Sequence, residues 1–135
     1  MLSNLIEKLE AKFNELKPKD SNDKLFNQVE QYEGQFDDIS EFTLMPPSAF
    51  IELSNGQPSE DARQNTMTTS IAAYVTTNHI KGLKPISMFN IIDELRSQLN
   101  KQSIAGGFLK FVGFERLAIF PGFIAYQVNF THMEI

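Results

Sequence analysis

The feature that most constrains this chain is an alternating stretch near its carboxyl end, divided by Pro121 and Gly122. Proline presets the first central angle of a type II turn, and glycine accepts the positive φ of the second. Residues 108–120 and 123–133 are therefore predicted to form a β-hairpin. In its second strand, four apolar positions alternate with small or polar ones: Ile124, Tyr126, Val128 and Phe130. Six of the twelve phenylalanines lie between 108 and 130, so the hairpin is expected to supply much of the core.

Two amphipathic segments predict helices. In residues 3–17 the apolar side chains recur at steps of three and four, and Pro18 ends the pattern. The second segment runs from about Pro85, a residue suited to a first helical turn, to Asn100. Its predicted core stripe is Phe89, Ile92, Leu95 and Leu99, with Met88 and Ile91 on the flanks. Gly106 and Gly107 follow and are interpreted as a helix stop.

Three further strands are predicted between the helices. Residues 25–32 form a weak strand, residues 49–53 a short buried one, and residues 66–78 a threonine-rich strand with period two. Residues 33–47 read as an irregular segment and residues 54–65 as a polar loop. The prediction is one α+β domain over residues 1–135, in the order α-β-β-β-α-β-β. Its mainly antiparallel (mixed) sheet has about four to five strands, with two helices packed on one face.

Composition excludes several classes of function. The 135 residues contain no cysteine, which removes a disulfide framework, a thiolate zinc site and a cysteine nucleophile. The net charge of −5 opposes binding to nucleic acid. Residues 1–61 carry thirteen acidic and five basic residues, whereas residues 62–135 carry four and seven. Two halves of opposite charge could associate head to tail, and the alternative is that the early helix and loops are simply well solvated. No stretch has the length and apolarity of a membrane span or a signal peptide.

No motif in the sequence carries recognisable chemistry. His79 and His132 are far apart and have no partner at ligand spacing. The adjacent acidic pairs lie in polar stretches or on the solvent face of a helix: Asp37 and Asp38, Glu60 and Asp61, Asp93 and Glu94. The sequence has neither a nucleophile elbow nor a phosphate-binding glycine loop. We therefore expect no catalytic residue, no cofactor and no metal site, and the chain is not expected to be an enzyme.

Several phrases of the chain, in their order, resemble the tail-terminator group of small tail proteins from Mu-like contractile phages and prophages. The matching phrases are residues 32–36 (YEGQF), 47–53 (PSAFIEL), the threonine-rich strand leading into 77–82 (TNHIKG), the helix at 89–99 and the strand at 126–131. The resemblance spans nearly the whole chain. It implies a structural protein that forms a ring, commonly a hexamer, at the head-proximal end of the tail tube and sheath.

The resemblance also implies partners and a location. The partners would be further copies of the chain, the tail tube and sheath, and the head connector, with no nucleic acid and no membrane. The protein would assemble in the bacterial host cytoplasm and end in the virion or tail particle. On the polar loop at 54–65 we place a candidate interface at Glu60, Asp61 and Arg63. Two alternatives remain open: a small acidic binding protein of the immunity type, and an enzyme or small-ligand domain whose site is assembled only by the fold.

Overall fold

The structure, a computed structural model, describes residues 2–19, 21–37, 43–58, 66–79 and 86–135. Within those ranges it contains the following helices and strands: α1 (Leu2–Glu15), β1 (Gln28–Gln31), β2 (Ser48–Pro58), β3 (Met67–Asn78), α2 (Ile86–Leu99), β4 (Ser103–Ile104), β5 (Gly107–Phe120) and β6 (Phe123–Glu134). A short 3₁₀ turn covers Gln35–Asp37. The strands form one mixed sheet in the order β1-β2-β3-β6-β5-β4, in which only β1 and β2 run parallel.

The predicted α+β class is confirmed, whereas the predicted strand count is wrong. The sheet has six strands instead of four to five, and the additional strand is β4. This two-residue strand pairs with β5 through Ala105 and Gly106, which both have positive φ, as a type I′ turn requires. Gly106 therefore shapes a hairpin turn. Helix α2 has already ended before Lys101, whose own φ is positive.

The prediction of a polar loop from residue 54 is also wrong in part. Strand β2 continues to Pro58, and Asn55–Pro58 pair with Met67–Ser70 of β3. The side chains of residues 54–58 are exposed, so this end of the strand has no apolar alternation for a sequence pattern to detect. A register shift between Leu53 and Asn55 interrupts the pattern further.

Both helices pack on the same face of the sheet. Helix α1 buries Leu5, Leu9 and Phe13, and α2 buries a matching row. The core side chains of α2 are Met88, Ile91, Ile92, Leu95 and Leu99. The assignment of Phe89 to the core stripe is wrong, because this side chain is exposed. Met88, placed on the flank by the sequence pattern, is fully buried instead.

The predicted hairpin is confirmed as β5 and β6. Gly122 has a φ of +89°, which fits the position after Pro121 in the turn. The four alternating apolar residues of β6 all belong to the buried core. The expectation for the phenylalanines holds only in part, since Phe130 is buried in the core but Phe114 of β5 is exposed.

The opposite face of the sheet carries an aromatic cluster. Tyr32 and Phe36, which follow β1, pack over Phe50 of β2 and Tyr74 of β3. Phe36 also contacts Phe120 at the tip of the hairpin, with ring centroids 6.0 Å apart. The segment after β1 is thereby attached to the outer face of three strands.

Candidate self-association surface

Strand β5 has a free outer edge over most of its length. Strand β4 pairs only with Gly107 and Phe108. Beyond that point, the segment that follows α2 supplies bonds to two residues: Leu109 exchanges backbone hydrogen bonds with residues 101 and 102, and the Asn100 side chain accepts from the Phe111 amide at 2.9 Å. From Val112 to Phe120, no described strand pairs with this edge. A free edge presents backbone donors and acceptors to a partner.

Two bulges shape this edge. The β5–β6 register shifts between Phe111 and Gly113 and again between Arg116 and Ala118. Val112 and Leu117 are therefore the extra residues, without a partner in β6. A bulge bends its strand and redirects its side chains, so these two apolar residues leave the regular alternation and face solvent.

Five exposed apolar residues of β5 and α2 are here called the β5 patch: Phe89, Val112, Phe114, Leu117 and Ile119. Each of these side chains is between 42% and 59% exposed. Phe114 and Ile119 lie opposite Val128 and Ile124, so they point to the face that carries the helices. Phe89 and Phe114 both contact the ring of Tyr126, at 6.0 and 6.1 Å, which joins α2 to the strand.

The size of the β5 patch is in the range of an interaction site. A large apolar side chain that is half exposed presents on the order of 100 Å², so the five together present about 400–500 Å². Patches of that size on soluble proteins often mark contact sites. A stable interface buries roughly 800 Å² per partner, so the patch would form its apolar centre.

One basic residue, Arg116, accompanies the β5 patch. Lys110 and Arg116 are both exposed on β5, and Arg116 shares the face of Phe114 because it lies opposite Tyr126. Glu115 projects from the other face, opposite Gln127. Lys110, opposite Thr131, projects from the same face as Glu115, so Arg116 is the charged residue of β5 on the side that carries the patch.

A second cluster of polar groups lies on the outer face of the sheet, away from the helices. The Tyr74 hydroxyl donates a hydrogen bond of 2.6 Å to Glu52, and the Tyr74 and Tyr32 rings lie 4.6 Å apart. Burial, followed by the hydrogen bond and charge of Glu52, raises the pKa of Tyr74. Burial, followed by the charge of Asp37, raises the pKa of Tyr32. Raised values keep both hydroxyls protonated at neutral pH, so neither is poised as a base.

The structure places the other predicted residues as follows. The candidate interface residues Glu60, Asp61 and Arg63 lie outside the described residues. His79 is half-buried at the end of β3, where its amide donates to Gly122. His132 is buried, and its Nε2 lies 2.7 Å from the carbonyl oxygen of Ile104. Among the described residues, no three His, Asp or Glu side chains are grouped as metal ligands would be.

Sequence reasoning missed the β5 patch, although a signal for it is present. The stretches 111–114 (FVGF) and 116–119 (RLAI) break the period-two alternation that the rest of the hairpin keeps. Such breaks are typical of bulges, and a bulge at an edge exposes side chains that a regular strand would bury.

Comparison with known proteins adds no assignment. No protein-family model matches this chain, and a search of curated proteins gives no match. In the described part of the chain, neither helix combines the length and apolarity needed to cross a membrane.

Proposed function

We propose that this protein is a self-assembling structural component of a contractile phage or prophage tail. In this role it acts as a tail terminator, forming a ring at the head-proximal end of the tube and sheath and joining it to the head connector. It would do so in the host cytoplasm and remain in the finished particle. The proposal combines the sequence resemblance with one structural observation, the β5 patch on a free sheet edge.

The β5 patch supports self-association for a physical reason. Exposed apolar side chains on an unpaired edge strand are unfavourable in a monomer, both through contact with water and through the risk of uncontrolled pairing. A ring covers such an edge in every copy, because each protomer binds its neighbour through a different surface.

Tail length tests the proposed function. In the phage or prophage that carries this gene, we expect the triple variant Val112→Ser/Phe114→Ser/Leu117→Ser to give overlong, heterogeneous tails by negative-stain electron microscopy. The matched control, Asn55→Ser/Gln57→Ser, changes exposed residues of β2 and should leave tail length unchanged. Tails of normal length after complete removal of the protein would overturn the proposal.

The alternative of a small acidic binding protein also has an observation in its favour. Glu10, Glu30 and Glu33 line one groove beside β1. A protein of that class would be a monomer and would use this groove for a basic partner, so its solution mass separates the two functions.

A further inference from the structure

The groove beside β1 has the opposite character to the β5 patch. It measures about 370 Å³ and is lined by Glu10 of α1 together with residues in and after β1. The lining residues are Glu10, Val29, Glu30, Gln31, Glu33 and Gln35. Here it is called the β1 groove. The described lining contains three carboxylates, one apolar side chain and no lysine or arginine.

The β5 patch and the β1 groove lie near opposite edges of the same sheet. Strand β1 is one edge strand, and β5 has its free edge near the other end of the order β1-β2-β3-β6-β5-β4. Neighbouring strands are about 4.8 Å apart, so the free edges of β1 and β5 are separated by roughly 20 Å within one copy. The surfaces therefore cannot meet in one molecule, and contact between them requires a second copy.

We infer that the β5 patch of one copy seats against the β1 groove of the next. This inference rests on the proposed function, for which it names the interface. Arg116 would face the carboxylates of the β1 groove, while Val112, Phe114 and Leu117 would cover the apolar side of β1 around Val29. Charge complementarity of this kind selects the partner and fixes the register, and the apolar side chains supply the affinity.

Charge also argues against contact between two β5 patches. A two-fold arrangement would bring the Arg116 side chains of both copies to the same surface. In the described structure Arg116 has no ion-pair partner within its own chain that would neutralise it. A head-to-tail contact places opposite charges together. It leaves one β1 groove and one β5 patch free at the two ends of every pair, so further copies add until the assembly closes.

The test uses two variants that each keep one of the two surfaces. The patch variant Val112→Ser/Phe114→Ser/Leu117→Ser retains the groove, and the groove variant Glu30→Lys/Glu33→Lys retains the patch. Alone, each should be a monomer by light scattering. Mixed in equal amounts, they should form a complex limited to twice the chain mass of 15.3 kDa, because only one productive interface remains.

A charge-matched control variant and urea unfolding distinguish a lost interface from a general charge effect or a loss of folding. Glu15→Lys/Asp23→Lys carries the same change of charge at exposed positions away from both surfaces and should assemble like the wild type. Urea unfolding of each variant shows that it is folded. A groove variant that self-associates alone overturns the inference in favour of patch-to-patch contact. A mixture that stays monomeric while the wild type assembles overturns the inference but leaves the proposed function standing. If both the mixture and the wild type stay monomeric, both fail.

Discussion

Gly107, the first residue of β5, is required for the close approach of two strands. A Cβ atom at this position would lie 2.2 Å from the carbonyl oxygen of Met133 and 2.8 Å from Nε2 of His132. The first contact is with backbone, which cannot move without disturbing the β5–β6 pairing. The second would also disturb the hydrogen bond between His132 and Ile104.

We predict that Gly107→Ala lowers the free energy of unfolding by about 2–3 kcal/mol, measured by urea denaturation. The matched control is Gly113→Ala in the same strand, where an added Cβ meets no atom within 4 Å. The control should leave the stability unchanged or raise it by up to about 1 kcal/mol, because alanine restricts the unfolded chain. Equal effects of the two substitutions would contradict the packing described at Gly107.

Tyr74 gives a prediction for the pH dependence of stability. Its pKa is raised in the folded state above the ordinary value of about 10, so the unfolded chain loses this proton first as the pH rises. The stability that Tyr74 contributes is therefore complete below pH 10 and is lost progressively above it. We expect Tyr74→Phe to be about 1 kcal/mol less stable than the wild type at pH 8, through loss of the hydrogen bond to Glu52, and this difference to shrink by pH 11. Urea unfolding at both pH values measures it, and a difference that grows with pH would refute the assignment.

Single residues of α2 show which core positions a sequence pattern predicts and which it does not. The sequence pattern assigns Ile92, Leu95 and Leu99 to the core, and all three are buried because they follow one stripe of the helix. The pattern could not choose between Met88 and Phe89 for the next turn, since both are apolar and adjacent. In the structure Met88 is buried, whereas Phe89 is exposed in the β5 patch and contacts the ring of Tyr126.

At the scale of elements, the long ones were predictable and the short ones were not. The hairpin, the threonine-rich strand and both helices have many residues with one period, and their positions agree with the structure to within a few residues. Strand β4 has only two residues, so it has no period to detect, and the polar end of β2 has no buried face. The β5 patch was missed for a related reason, because the bulges that create it appear in the sequence only as faults in the alternation.

Phe36 and Phe114 lie on opposite faces of the sheet, so we expect their substitution to have different effects on stability and self-association. Phe36 packs against four rings on the outer face, so Phe36→Ala should lower the free energy of unfolding by about 2 kcal/mol. Phe114 is exposed on the helical face, so Phe114→Ala should change stability by less than about 1 kcal/mol. Self-association should respond in the opposite order, weakened by the change at Phe114 and unaffected by the change at Phe36. Urea unfolding and light scattering on the same samples measure both, and association that follows stability in both variants would contradict a role for the β5 patch.

At the scale of the whole molecule, the structure shows where the acidic and basic parts of the chain lie. The sequence places an acidic excess before residue 62 and a basic excess after it, which predicts two poles but not where they lie. In the structure the acidic half supplies the β1 groove, and the basic half supplies Arg116 on the side of β5 that carries the patch. The order of strands decides this, because β1 and β5 lie near opposite ends of the sheet. No spacing within the sequence could show it.

The solution mass, measured by light scattering over a range of protein and salt concentrations, tests self-association most directly. We predict a defined multiple of 15.3 kDa, six for a hexameric ring, that decreases at 1 M salt because screening weakens the contacts between charged side chains. The patch variant Val112→Ser/Phe114→Ser/Leu117→Ser should remain at the mass of one chain under the same conditions. A wild-type protein that stays at 15.3 kDa at every concentration would contradict the account and favour the acidic binding protein.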